Sequence, residues 1–132
     1  MFGWLKKKVR NENLKLVKQN QLAALYIKSF SETACELGQA ESQELFGLMF
    51  GVATQADSLL STLEITEALS QNEVDEQFRI NRDLRRIYDD ILAGRKAFAS
   101  QFGTASEPLL SFDRKFTPNE GWKNFVNHFD SM

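Results

Sequence analysis

The chain has 132 residues, of which 42% are hydrophobic, 26% charged and 11% aromatic, a balance typical of globular proteins. Its two prolines, one cysteine and one histidine exclude collagen-like and disulfide-framed chains and argue against a zinc or haem site. The formal net charge of -2 argues against a general nucleic-acid-binding protein. We expect one domain over residues 1–132, because a chain of this length can bury roughly two thirds of its surface.

A first helix is predicted from about residue 4 to residue 37, because no proline interrupts this range and Gly38 can cap its end. Its apolar residues recur at steps of three, four or seven, which indicates an amphipathic stripe. Glu12 and Asn20 interrupt the stripe. They line a polar pocket between helices or, as we favour, form a polar layer that fixes helix register. The stripe consists of Leu5, Val9, Leu16, Ala23, Ile27, Phe30, Ala34 and Leu37.

A second helix is predicted over about residues 41–69. The apolar stripe of this helix contains Leu45, Leu48, Met49, Val52, Ala56, Leu59, Leu60 and Leu63. The opposite face carries no charge and consists of Gly47, Gly51, Thr54, Ser58, Ser61 and Ile65. Because a glycine inside a helix costs about 1 kcal/mol relative to alanine, we predict that this face packs against a second neighbour. That neighbour is the C-terminal segment, a second copy in a homodimer or a protein partner. The alternative is a poorly formed, exposed helix or a break between the two glycines.

A third helix is predicted over about residues 72–102. It begins at a capping box, in which Ser70 supplies a hydroxyl and Glu73 a carboxylate three residues later. Its apolar stripe is Ile80, Leu84, Ile87, Tyr88, Ile91, Phe98 and Phe102. Oppositely charged side chains four residues apart are typical of a solvated helix face. These pairs are Arg79 with Asp83, Arg85 with Asp89, and Arg86 with Asp90.

The C-terminal part of the chain predicts a loop followed by a short helix. Residues 103–117 are interpreted as a loop anchored by four apolar side chains, Leu109, Leu110, Phe112 and Phe116. Thr117, Pro118 and Glu120 then match a capping box with proline at the first helical position. The predicted helix spans about residues 118–129, and its apolar face should dock on the bundle. The expected fold class is therefore an all-α bundle of three long helices plus this short C-terminal helix. The apolar face consists of Trp122, Phe125, Val126 and Phe129.

Charge is segregated along the chain. Residues 1–30 carry seven Lys or Arg and one acid, residues 31–78 carry ten acids and no Lys or Arg, and residues 79–96 carry six basic residues against three acids. In an up-down bundle, the basic start of the first helix would lie beside the acidic end of the second, at Glu64 and Glu67. We therefore expect much of this segregation to be complementarity between neighbouring helices.

The N-terminal residues resemble a short interfacial anchor, with aromatic and aliphatic side chains to insert and lysines to meet anionic headgroups. These residues are Phe2, Trp4, Leu5, Lys6, Lys7 and Lys8. The simpler interpretation, which we favour, is a frayed and solvated terminus. The order of charges does not fit a secretory signal, and the longest charge-free stretch, residues 45–56, is too short to span a bilayer. We expect a cytoplasmic protein.

No arrangement of residues predicts catalysis. His128 is the only histidine, Cys35 is the only cysteine, and Asp89 and Asp90 point about 100° apart on a helix. The arginines of the third helix alternate with acids, which argues against nucleic-acid binding. We therefore predict a protein without catalytic residues, metal or cofactor that acts by binding another protein, as an adaptor, regulator or inhibitor, including the toxin-neutralising kind. The alternative is a peripheral membrane-surface protein anchored by the N-terminal segment.

Overall fold

The computed structural model describes residues 3–29, 31–37, 42–66 and 68–115, and these residues form helices without any strand. The all-α bundle predicted from the sequence is confirmed. Its elements are α1 (Gly3–Ser29), α2 (Ser31–Glu36), α3 (Ser42–Thr66), α4 (Gln71–Phe102) and α5 (Glu107–Lys115).

α1 is the central helix, and α3 packs along it in the opposite direction. The start of α1 meets the end of α3, where the Arg10 guanidinium Nε donates to the carbonyl of Leu63 at 3.1 Å. The end of α1 meets the start of α3, where the Lys28 ammonium lies over the ring of Phe46. A cation at the negative end of a helix dipole is favourable, so the contact of Arg10 agrees with the predicted pairing of the basic start of α1 with the end of α3.

α4 packs on another side of α1 and runs in the same direction as α1. Asn20 of α1 contacts Gln77 and Asn81, near the start of α4. Further along both helices, Tyr26 lies close enough to Tyr88 for their charges to interact. The three long helices therefore alternate up, down and up around α1.

The buried apolar residues form two clusters of different size. The larger cluster draws on all five helices, and the smaller one lies at the other end of the bundle, between α1 and α3. The larger cluster contains Ala23, Ala24, Ile27, Ala34, Leu37, Leu45, Met49, Ala53, Ile80, Leu84, Ile91, Leu109 and Phe112. The smaller cluster contains Val17, Ala56, Leu59 and Leu63.

The capping box at the start of α4 is formed as predicted. The Glu73 backbone N–H donates to Ser70 Oγ at 3.2 Å, and the Ser70 backbone N–H donates to Glu73 Oε1 at 2.9 Å. Of the predicted ion pairs, Arg79 donates to Asp83 at 3.0 Å. Arg86 also lies 3.8 Å from Asp83, three residues earlier.

The helix predicted over residues 4–37 is described in two stretches, α1 (Gly3–Ser29) and α2 (Ser31–Glu36), and residue 30 between them lies outside the described residues. Ser29 Oγ donates to the carbonyl of Tyr26 at 2.6 Å, and Ser31 Oγ donates to the carbonyl of Lys28 at 3.1 Å. Both stretches contribute buried residues to the larger cluster, Ile27 from α1 and Ala34 from α2.

The loop predicted over residues 103–117 was wrong, because α5 occupies residues 107–115. Leu109 and Phe112, three residues apart, are both fully buried, and this burial stabilises a helix too short to form alone. The sequence does contain a helix-start signal that was missed, since Pro108 lies in the first turn of α5. Phe116 and the helix predicted over residues 118–129 lie outside the described residues.

Three residues assigned to buried stripes are exposed. The relative exposures are 48% for Val9, 54% for Leu48 and 57% for Phe102. The buried arc of α3 is centred on Met49 and Ala53, so Leu48 lies at the edge of that arc, on the side toward α4. Periodicity predicts the face of a helix, but the position of the next helix decides where burial stops.

Candidate functional site

The structure keeps the predicted partner or dimer surface on one continuous face of α3. α3 has no break between Gly47 and Gly51, so the interrupted helix considered as an alternative is not formed. None of the described residues covers the face, and Ile65 is 81% exposed. The neighbour expected for this face is therefore not among the described helices. The other exposed members are Gly47, Gly51, Thr54, Ser58 and Ser61.

Large apolar side chains flank the two glycines. Phe46 is 46% exposed, and Leu48 and Phe50 are each 54% exposed. The sequence analysis missed both phenylalanines, although helical spacing places them beside the glycines. A Cβ added at Gly47 or Gly51 would meet nothing within 4 Å. The N-terminal half of α3 thus exposes apolar ridges around an open recess, as protein-binding surfaces commonly do.

The ammonium group of Lys28 lies beside the two phenylalanine rings. The Lys28 Nζ is 5.3 Å from the ring centroid of Phe46 and 5.5 Å from that of Phe50, within the range of a cation–π interaction. This contact fixes both rings against the end of α1. It also places one positive charge at the edge of a surface that has no charged residue of its own.

An open groove separates α3 from α4. Both helices pack on α1 rather than on each other, so the seam between them stays unfilled by described residues. The groove has a volume of about 400 Å³. The lining from α3 is Gly47, Leu48, Gly51, Val52 and Gln55, and the lining from α4 is Glu76, Arg79, Ile80, Asp83 and Leu84.

The two polar residues that interrupted the first predicted stripe have different environments. Asn20 is fully buried. Its amide donates to the carbonyl and to the side-chain oxygen of Gln77, both at 2.9 Å. Asn81 donates to Asn20 Oδ1 at 2.8 Å. Asn20 therefore belongs to a buried polar layer between α1 and α4, in which Asn81 Oδ1 has no hydrogen-bond partner among the described residues. Glu12, by contrast, is exposed on α1.

Near this polar layer, a tyrosine is held in its neutral form. Burial, together with a smaller contribution from repulsion by the neighbouring Tyr88, raises the pKa of Tyr26 to about 12. Both side chains are half-buried between α1 and α4. The seam between these helices therefore disfavours charge.

The predicted membrane-contact residues are only partly described. Phe2 lies outside the described residues, whereas Trp4, Leu5 and Lys6 lie within the first turns of α1. The side chains of Lys7 and Lys8 are exposed. Exposed lysines continue along α1 at Lys15 and Lys18.

The outer face of α4 is occupied by ion pairs. The Arg79 guanidinium donates to both Glu76 and Asp83. The hydrogen bond from Arg79 lowers the pKa of the Glu76 carboxyl, and the same bond raises the pKa of Arg79. Arg79 and Arg86 therefore form ion pairs with acids of α4 itself, as is typical of a solvated helix face.

Within the described ranges, no three His, Cys, Asp or Glu side chains are grouped to hold a metal ion. His128 lies outside those ranges, and Cys35 is half-buried at the end of α2. Among the helices described, none is long and apolar enough to cross a membrane. Comparisons with protein-family models, curated proteins and solved structures found no match.

Proposed function

We propose that this protein acts by binding another protein through the α3 docking face, which we define as Phe46, Gly47, Leu48, Phe50 and Gly51. The observation that carries the proposal is the exposure of three large apolar side chains around two glycines that the packing of the described chain does not require. An exposed apolar face of this kind is typical of interaction sites.

The geometry favours an apolar helix or strand edge as the group that this face binds. The ridges formed by Phe46 and Phe50 are rigid aromatic anchors, the type of residue that dominates binding energy at interfaces. No described atom lies within 4 Å of a Cβ added at Gly47 or Gly51, so the two rings stand at the edge of an open recess. Lys28 at the edge favours acidic residues at the rim of the partner. An adaptor, regulator or inhibitor in the cytoplasm, including one that neutralises a toxin, would use such a surface.

The proposal is tested by site-specific photocrosslinking in the native cell. A benzoylphenylalanine at position 50 should yield a discrete crosslinked product, because position 50 faces the partner. The matched control is position 86, where the arginine side chain is 70% exposed on the outer face of α4. Phe46→Asp in the same chain should remove the product made at position 50.

Two results would contradict this proposal. Position 50 could give no product at all, or positions 50 and 86 could give the same products. A product with twice the mass of the chain would identify a second copy as the partner, and the face would then be a homodimer interface.

A second candidate function is binding to an anionic membrane surface. The observation that favours it is the row of exposed lysines on α1, at Lys7, Lys8, Lys15 and Lys18. Each lysine near such a surface contributes about 1 kcal/mol, and salt should weaken the binding through screening. Co-sedimentation with phosphatidylserine vesicles should fall in a variant with Lys7 and Lys8 changed to glutamine. Equal pelleting of the two proteins would reject this candidate.

A further inference from the structure

The floor and walls of the groove between α3 and α4 are partly apolar, and no described side chain fills the groove. Gly47 and Gly51 form one wall without side chains, and Ile80 and Leu84 form the other. Leu48, at the rim, is 54% exposed. The groove is open along its length, so its natural occupant is a side-chain row on a helix and not a small molecule.

The path of α5 shows how the rest of the chain approaches this groove. The Arg95 guanidinium forms two hydrogen bonds with the Asp113 carboxylate, at 2.8 and 2.9 Å. The two residues are equally distant in sequence from Thr104, in the turn between the helices. α5 therefore runs back along α4, toward the start of α4, and it ends at Lys115.

The groove lies ahead of α5 on the same face of α4. Arg95 follows Leu84 by eleven residues, which is about three helical turns, so both side chains project from one face. The chain leaves α5 at Lys115, in the direction of the start of α4 and of the groove. The helix that the sequence predicts over residues 118–129 would be about 18 Å long. The direction of α5 and this length are the reasons to consider the segment as the occupant of the groove.

We propose that residues 118–129 dock as a helix in the groove between α3 and α4 of the same chain. The sequence predicts an amphipathic helix there, and its apolar residues follow the spacing by which helices occupy grooves. The side chains that enter the groove are Trp122, Phe125, Val126 and Phe129. The glycine wall leaves room for them, because nothing lies within 4 Å of a Cβ added at Gly47 or Gly51.

Docking of this segment would also determine which part of the α3 docking face a partner protein can still reach. Leu48 becomes covered, whereas Phe46 and Phe50, on the other side of the glycines, stay exposed. This consequence rests on the proposed function, and it restricts the partner to the side of α3 that carries the two aromatic rings. The docking itself does not depend on any partner.

Intramolecular photocrosslinking locates the segment directly. Purified full-length chain carrying benzoylphenylalanine at position 48 should form an internal crosslink, and mass spectrometry should place it within residues 116–132. The same photoreactive residue at position 65 is the matched control, because Ile65 is exposed on α3 but lies outside the groove lining. A crosslink from position 48 to any other region, or none, would overturn the proposal.

Fluorescence of Trp122 gives a second readout. In a Trp4→Phe background, Trp122 should emit as a buried indole that resists quenching by iodide. Gly51→Gln should fill the groove, shift the emission to the red and restore quenching. Ser61→Gln, on the same face but outside the groove lining, should leave the emission unchanged. If circular dichroism shows that Gly51→Gln is unfolded, Leu48→Asp replaces it, because Leu48 is already exposed.

The other possible fluorescence results also decide whether the segment docks in the groove of its own chain. Water-like emission of Trp122 in the parent protein would overturn the docking. Protection that persists in a folded Gly51→Gln variant would place the segment elsewhere and also overturn it. Protection that appears only at dimer-forming concentrations, measured by light scattering, would assign the groove to the segment of a second copy. Failure of the proposed partner binding would leave all these readouts unaffected, so the two proposals fail separately.

Discussion

α3 and α4 are both long helices that pack on α1, but their outer faces and their attachments differ. The outer face of α4 carries ion pairs around Arg79 beside one exposed aromatic side chain, Phe78. The N-terminal half of α3 instead exposes Phe46, Leu48 and Phe50 around two glycines. α4 is joined to α1 through the buried amide of Asn20, whereas α3 is held mainly by apolar packing. α4 thus presents a largely charged surface, and the N-terminal half of α3 a largely apolar one.

The largest loss of stability is expected when an apolar side chain that packs α3 against α1 is removed. Leu63→Ala removes a fully buried side chain from the smaller cluster, and it should lower the free energy of unfolding by about 2–5 kcal/mol. Ile65→Ala, two residues away and 81% exposed, should change it by no more than about 0.5 kcal/mol. Urea unfolding measures both. Similar losses in the two variants would show that the outer face of α3 is packed in the free chain.

Removing the Asn20 amide, which joins α1 to α4, should lower stability by nearly as much. Asn20→Ala leaves Gln77 and Asn81 with buried polar atoms unpaired, and each such group costs about 1–3 kcal/mol. We expect a loss of about 2–4 kcal/mol in the free energy of unfolding. Gln21→Ala, which removes an exposed hydrogen bond to Asp57, is the neighbouring control and should have little effect. If Asn20→Ala leaves the free energy of unfolding unchanged, apolar packing and not the buried amide holds α4 on α1.

The glycines of α3 provide a test in which stability should rise. Gly51→Ala should raise the free energy of unfolding by about 0.5–1 kcal/mol, because alanine favours the helix and its Cβ meets no described atom. The same substitution should weaken the crosslink made at position 50, because the recess becomes shallower. Thermal unfolding and crosslink yield are measured on one preparation. A destabilised variant would show that a segment docked in the groove leaves no space for a Cβ at this glycine.

The smallest expected effect concerns pH and the seam between α1 and α4. The folded chain binds the Tyr26 proton more tightly than the unfolded chain does, since its pKa rises from 10.0 to about 12. The free energy of unfolding that depends on Tyr26 is therefore intact below about pH 10 and falls as the pH rises toward 12.

Tyr26→Phe isolates this contribution from the titration of lysines. The difference in stability between the parent protein and the variant, measured by urea unfolding at pH 9 and again at pH 11, should shift in favour of the variant at the higher pH. The absorbance of the tyrosinate gives an independent titration of the same group. A difference that does not change with pH would contradict the buried environment of Tyr26.

The sequence by itself determined the features that depend on neighbours along the chain. Helical periodicity identified the long helices, and the reciprocal bonds of Ser70 and Glu73 formed as the capping box required. The uncharged face of α3 was also visible, because a helix repeats every 3.6 residues whatever lies around it. These features need only local geometry, and local geometry follows from residue order.

The tertiary structure alone decided where burial begins and ends. Asn20 and Glu12 interrupt the same stripe, yet only Asn20 meets buried amides of α4. Leu48 is exposed because α3 and α4 leave a groove between them, and α5 exists because Leu109 and Phe112 reach the shared core. The physical reason is the same in each case, since burial depends on the position of a second helix that the local periodicity of the first does not specify.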